Sequence, residues 1–184
     1  GERGITGVQL PMGSEDKTRS RIHLRNGDVP DAVPPAEVMH AIDAMKELLA
    51  GKPNDLAEIV LDLDGVPEFN RGVYDIARKI PPGQTLTYGD IAKKLGGVEL
   101  SRDVGQALGR NPCPIVVPCH RVLAAGNKPG GFSANGGVVT KLKMPPTPCS
   151  SPAYQFCTVL YFTVALSSAT ISTTAACSWL VSRF

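Results

Sequence analysis

Apolar residues recur most clearly between Pro34-Pro35 and Gly51. There Val38, Ala41, Ile42, Met45, Leu48 and Leu49 keep helical spacing, which predicts an amphipathic helix over 36–50. Further on, Ile59, Leu61 and Leu63 alternate with Val60, Asp62 and Asp64, the period of a strand ending at Gly65. A weaker strand is expected within 4–10, and Asn26-Gly27-Asp28 reads as a turn between strand-like pieces. The first part of the chain, 1–65, is therefore expected to be a small α+β unit that is incomplete at its beginning.

After Pro67 the apolar set Phe69, Val73, Ile76, Ala77 and Ile80 predicts a helix stopped by Pro81-Pro82-Gly83. Two short helices follow. Thr87 and Asp90 have the spacing of a capping box for a helix over 88–95, and Ser101 is placed to cap another over 102–108. Gly96-Gly97 supplies the turn between them, so the pair has helix-turn-helix proportions, which enzymes without any DNA role also use. Gly105, Ala107 and Gly109 leave little bulk around Arg102, Gln106 and Arg110. Each interior glycine costs roughly 1 kcal/mol of helix propensity, so close approach to another surface should offset the loss. That surface is either a neighbouring helix or the floor of a DNA groove, with Arg102 projecting into the base stack.

Composition narrows the class without naming a function. At 184 residues, with 42% hydrophobic and 20% charged positions, the chain is one ordinary domain or two small ones sharing a core, not a disordered, collagen-like or multi-span membrane chain. The net charge of +2 hides an uneven distribution. Residues 1–77 hold 8 Lys/Arg against 14 Asp/Glu, residues 78–144 hold 10 against 3, and residues 145–184 carry only Arg183. A basic middle segment fits a local anionic partner such as a nucleic-acid backbone, or simply a solvated basic face. The cysteines, at 113, 119, 149, 157 and 177, lack the spacing of a disulfide framework or of paired zinc ligands, and fit a reducing compartment. No secretory signal is visible, and with no initiator Met at position 1 an upstream start is an open expectation.

The segment Asn111-Pro112-Cys113-Pro114-Ile115-Val116-Val117-Pro118-Cys119-His120-Arg121-Val122 carries the candidate chemistry. Its prolines remove backbone donors and fix φ around an apolar run, which predicts a rigid buried connector and not a regular strand. Behind it stands Cys119 beside His120 and Arg121, a thiol with two potential cations that would favour thiolate. An arbitrary Cys-His pair is more often structural, since neighbours in extended chain face opposite ways and need a turn or a bridging water to share a proton. Zinc binding by Cys113, Cys119 and His120 fits poorly with the prolines between them.

Pro118-Cys119-His120-Arg121-Val122, with Asn111-Pro112 and the small-residue helix before it, closely resembles the O6-alkylguanine-DNA alkyltransferases, the methylated-DNA--protein-cysteine methyltransferases. The resemblance runs from about Ala36 to Met144 and is most specific from Tyr88 to Ser133. It implies an α+β protein: an N-terminal unit, then over 66–144 a mainly helical, winged-helix-like domain with a helix-turn-helix and a buried active-site cysteine. It implies single-turnover repair of DNA in which Cys119 takes the alkyl group from O6 of guanine and keeps it as a thioether, with no cofactor and no metal. By the same resemblance His120 accepts the thiol proton through a water, Asn111 holds the turn around the nucleophile, and Tyr88 assists the guanine leaving group. Arg102 takes the place of the extruded nucleotide, while Gln106, Arg110 and Arg121 join it in holding DNA through the minor groove. Pro114, Val122, Gly130 and Ser133 match the lining of the base pocket, and Phe132 stands where many relatives have tyrosine. The partner implied is double-stranded DNA containing O6-alkylguanine, met by a monomer away from membranes, in the cytoplasm or, in a eukaryote, the nucleus.

Past Met144 the resemblance stops. Relatives extend the last helix to a Glu-Gly pair whose glutamate orients the histidine, whereas here Pro145-Pro146 is expected to end it and no acid of any kind follows Asp103. Residues 145–184 hold 13 Ser/Thr and 6 of the 10 aromatics of the chain. A charge-free run over 154–181 is long enough for a membrane helix but too polar and β-branched at 167–174. An aberrant, frame-shifted or misspliced tail, poorly ordered, is the preferred expectation. Two further functional readings follow from the missing carboxylate: a DNA-binding protein that recognises alkylguanine with impaired or no transfer, and an unstable product with no activity.

Overall fold

The computed structural model describes residues 3–27 and 32–144. The expected turn at Asp28, the stop at Pro145-Pro146, the run weighed as a membrane helix and the tail as a whole lie outside the described residues.

The chain opens with a helix that its apolar pattern did not announce. α1 (Glu15–Asn26) starts at Ser14, whose side chain accepts from the Lys17 amide, and has Glu15 and Asp16 in its first turn and Arg25 in its last, both favourable to the helix dipole. Of its residues only Thr18 is buried, so capping and charge order rather than an apolar stripe define it. Asn26-Gly27 is therefore a helix end, with Gly27 at φ 78°, and not a turn between strands.

α2 (Ala36–Leu49) fills the helix expected there and buries Val38, Ala41, Ile42, Met45 and Leu48. The strand expected at 59–65 reduces to one parallel bridge, Ile5 with Leu61. The Ile5 amide donates to Val60 O and the Asp62 amide to Ile5 O, both at 3.0 Å, and pairing goes no further. The alternation is still real, since Ile59 is buried and Val60 is exposed. What is missing is a neighbouring strand, because the opening residues form a ladder bridge with this segment at Ile5 alone, beside the Arg3 ion pairs to Asp62 and Asp64, and the Arg78 guanidinium holds the carbonyls of Leu56, Ala57 and Ile59 in a loop.

α3 (Glu68–Arg78), α4 (Tyr88–Lys94) and α5 (Ser101–Gly109) make the second layer. α4 is capped as its sequence predicts: Asp90 N donates to Thr87 Oγ1 at 3.1 Å while Thr87 N donates back to the Asp90 carboxylate at 2.9 Å. Those Thr87 bonds also hold the Asp90 carboxyl below its ordinary range. Ser101 does not cap α5; it is the first helical residue, behind a 3-10 turn over Val98–Leu100, and its hydroxyl donates to Val98 O. Tyr74 Oη ties α3 to α5 by donating to Ala107 O at 2.9 Å.

One parallel pair completes the frame. β1 (Leu86–Thr87) lies beside β2 (Val122–Leu123), with Leu86 opposite Val122, so the first turn of α4 is brought next to the residues just before Val122. α6 (Gly137–Lys143) closes the described chain. A single apolar cluster runs from Ile5, Val8 and Leu10 through Met45 to Val73, Ile91, Val104 and Val117, so the N-terminal part and the helical part share one core.

Candidate active site

Residues 111–121 form the rigid buried connector that their prolines predict. Asn111 holds it from inside: its amide donates to Val117 O at 3.0 Å and its carbonyl accepts from the Cys113 amide at 2.9 Å. Ile115, buried at the tip, sits at φ 78°, a conformation that costs a β-branched residue of order 1–3 kcal/mol and that its surroundings must hold in place. Part of that support comes from the N-terminal segment, where the Val8 amide donates to Pro112 O at 2.9 Å.

The connector delivers Cys119, His120 and Arg121 as one 3-10 turn. This local turn removes the geometric objection that applies to a Cys-His pair in extended chain. Cys119 is only 7% exposed, and burial pushes its thiol up from the ordinary value. Opposing that are the Asn111 side chain, the Lys141 charge and the amides of Cys119 and His120, all of which favour thiolate.

The two cations expected beside the thiol are not the ones that act on it. Burial, then the charges of Arg121 and Lys141, lowers the His120 pKa to about 3, so the imidazole is neutral at physiological pH. Its Nδ1 has no hydrogen-bond partner, and no carboxylate meets it among the described residues. Arg121 points the other way: 2% exposed, its guanidinium donates to Ile80 O at 2.9 Å. A buried guanidinium cannot meet a phosphate, so Arg121 joins the connector to the end of α3 and is not a DNA contact.

The cation that faces the site is Lys141, which the sequence reading passed over. It is 3% exposed, and Nζ donates to Val122 O at 2.6 Å, and to Gly131 O and Tyr88 Oη at 3.4 Å each. Nζ also stands 5.6 Å from the centre of the Tyr88 ring. All these partners are neutral; burial lowers the Lys141 pKa, and Cys119 is the group whose negative charge opposes that shift and favours the ammonium. Burial and the neighbouring Cys119 raise the Tyr88 phenol above its ordinary pKa, which keeps it protonated and a donor.

A cavity of about 690 Å³ opens at Cys119 between α5 and the loop before α6. Tyr88, Arg102, Gln106 and Ser133 line it together with Cys119, and so does Phe132. Asn111, Pro114 and Arg110 line an adjoining cavity of about 470 Å³ that also reaches Cys119. Ser133 Oγ donates to Gly109 O at 3.0 Å and pins the loop to α5. Two expected pocket residues stand elsewhere. Val122 is fully buried in the core and presents only its carbonyl, to Lys141. Gly130, at φ 65°, lies so close to Tyr88 that a Cβ would come within 2.9 Å of the ring; it lets the loop cross the phenol, and Gly131 takes the place in the lining.

The neutral His120 gives a stability prediction. An imidazole in the unfolded chain titrates near 6.5, and in the folded chain near 3, so the unfolded state binds more protons between those values. Its contribution is present above pH 6.5 and lost as pH falls. The melting temperature is expected to drop between pH 7 and 5.5, and to drop less in His120→Gln; equal slopes in the two proteins would contradict this.

Residues 68–144 match the model of the 6-O-methylguanine DNA methyltransferase, DNA binding domain. The methylated-DNA--protein-cysteine methyltransferase of Methanothermobacter thermautotrophicus is 39% identical over 144 residues, covering 78% of this chain and 73% of that protein. The chain belongs to this methyltransferase family. A second member, from Methanocaldococcus jannaschii, is 57% identical over 68 residues, which cover 37% of this chain and 39% of that methyltransferase. Among solved structures, the O6-methylguanine methyltransferase of Mycobacterium tuberculosis superposes with a TM-score of 0.62 at 34% identity, over 83% of this chain and 86% of that one. The same organism's OGT in complex with DNA gives a TM-score of 0.52 at 36% identity, over 58% and 63%. The mixed, mainly helical architecture with its small parallel pair is thus that of the methyltransferases.

Proposed function

We propose that this chain repairs DNA by direct, single-turnover transfer of the alkyl group from O6 of guanine to Cys119. One observation carries the assignment of roles: in a chain of this family, Cys119 stands at the wall of a cavity whose other walls hold Tyr88, Arg102 and Gln106. The Sγ thiolate attacks the alkyl carbon in line with the C–O6 bond; a C–S bond forms, the C–O bond breaks, and its electrons pass to guanine. The Tyr88 phenol, kept protonated, donates to the leaving base. In the family resemblance His120 takes the thiol proton through a water; here burial and the charges of Arg121 and Lys141 oppose a second proton on the imidazole, so His120 passes that proton on through the water and does not hold it as an imidazolium. Lys141 supplies the positive charge that a glutamate-supported imidazolium would otherwise bring. A thioether has no ready leaving group, so each molecule reacts once.

DNA is the partner in this reading, as a DNA-binding family domain and a DNA-bound neighbour support. α4 and α5 serve as the helix-turn-helix of a winged-helix-like acceptor domain over 66–144, with 1–65 as the N-terminal unit and the protein acting as a monomer in cytoplasm or nucleus. α5 enters the minor groove, where Arg102 and Gln106, both exposed, face the duplex. Open space around Gly105 and Gly109 leaves room for that approach. Recognition without transfer is the weaker reading, because the acceptor thiol is retained and lies inside the cavity.

Arg102 tests the extrusion step separately. Arg102→Ala is expected to slow methyl transfer from duplex DNA roughly 10- to 100-fold, the cost of losing the side chain that replaces the extruded nucleotide. Transfer from the free O6-benzylguanine base should change by less than about twofold. An equal loss with both substrates would place Arg102 in the chemistry and overturn the role.

A further inference from the structure

The cavity of about 470 Å³ next to the acceptor pocket is more basic than a nucleobase site requires. Arg21 and Arg25, four residues apart on one face of α1, line it from one side, and Arg110 lines it from the end of α5. All three side chains are exposed, none makes an ion pair among the described residues, and no Asp or Glu lines the cavity. Arg21 and Arg25 from α1 and Arg110 from the end of α5 thus put three guanidinium groups around one cavity, with no carboxylate in its lining to neutralise them. The cavity adjoins the acceptor pocket, and Gly109, Cys119, Phe132 and Ser133 line both.

We infer that Arg21, Arg25 and Arg110 form a phosphate-backbone contact, over which the strand flanking the extruded nucleotide passes from α5 onto α1. The inference rests on the DNA-repair reading and extends its interface to the N-terminal part of the chain. Guanidinium forks match phosphate oxygens in charge and in planar geometry, and Arg110 ends the helix assigned to the minor groove, so the backbone leaving that groove meets α1 next. α1 owes its formation to caps and charge rather than to an apolar stripe, and an interface role accounts for a helix that buries only Thr18.

The test uses the full chain and an undamaged duplex, with affinity measured across a series of NaCl concentrations. Each phosphate contact contributes about 0.9 to the slope of log affinity against log salt. Arg21→Ala/Arg25→Ala is expected to lower that slope by about 2 and to weaken binding roughly tenfold at low salt. Arg21→Lys/Arg25→Lys, which keeps the charges, should retain most of the slope. An unchanged slope in the alanine variant, with the parent binding duplex normally, would show a solvated basic face and overturn the inference alone. A parent protein with no salt-dependent duplex binding would overturn the DNA reading itself.

Discussion

Cys119→Ser takes up no methyl group from duplex DNA carrying O6-methylguanine, yet binds that duplex within about twofold of the parent. Serine is nearly isosteric with cysteine, so the 3-10 turn, the connector and the cavity wall survive the change. What disappears is a nucleophile with an accessible anion. The Asn111 amide, the local backbone N–H groups and Lys141 lower the cost of a thiolate, but a hydroxyl in the same position remains protonated. The transfer rate is expected to fall by at least about 10³-fold, the scale on which loss of a nucleophile removes chemistry while binding persists. Single-turnover transfer of a labelled methyl group and a gel-shift titration measure the two quantities. Transfer retained in the serine variant would move the acceptor elsewhere.

Lys141→Met carries the second large effect. Methionine fills similar volume without the charge, so the loop before α6 keeps its packing while Cys119 loses its facing cation. The thiol, already raised by burial, then rises further. In the parent, thiolate and therefore rate increase with pH; in the variant that increase is displaced to higher pH. Transfer is expected to be roughly 10- to 100-fold slower at pH 7.5, and the rise of its rate with pH to be displaced upward by about one to two units, one unit of thiol pKa being worth about 1.4 kcal/mol. The buried Val122 O loses its donor, at about 1–3 kcal/mol, while the exposed Gly131 O can turn to water and relief from burying an ammonium offsets part of the loss. Single-turnover rates from pH 6.5 to 9.5 distinguish the electrostatic role from a structural one. Parallel profiles with an unshifted midpoint would leave Lys141 as a loop anchor only.

The sequence carried the site better than it carried its electrostatics. α2, α3 and the α4–α5 pair were legible because apolar period, prolines and a capping box agreed. α1 was not, because its residues lack an apolar stripe; Ser14 followed by Glu15 and Asp16 was the signal that could have found it. The strand expected over 59–65 failed for a tertiary reason, since alternation shows which side is buried but not whether a partner strand exists. Cys119, Tyr88, Arg102, Gln106 and Ser133 do come together at one cavity from separate elements. Arg121 and Lys141 exchange the places that sequence would give them. A residue beside the nucleophile turns inward to Ile80 O, while a lysine two positions before Lys143 on a short helix is enclosed by the Gly131 loop. Neither burial is visible in local pattern, because each depends on a carbonyl supplied from a distant part of the chain.

The most direct measurement of the central claim is the mass of the protein after incubation with duplex DNA containing one O6-methylguanine, followed by digestion and mapping of its cysteine peptides. The account predicts a gain of one CH₂, on Cys119, with Cys113 unmodified because burial pushes that thiol up to about 12. No gain in mass, or a methyl group carried by any residue other than Cys119, would contradict it.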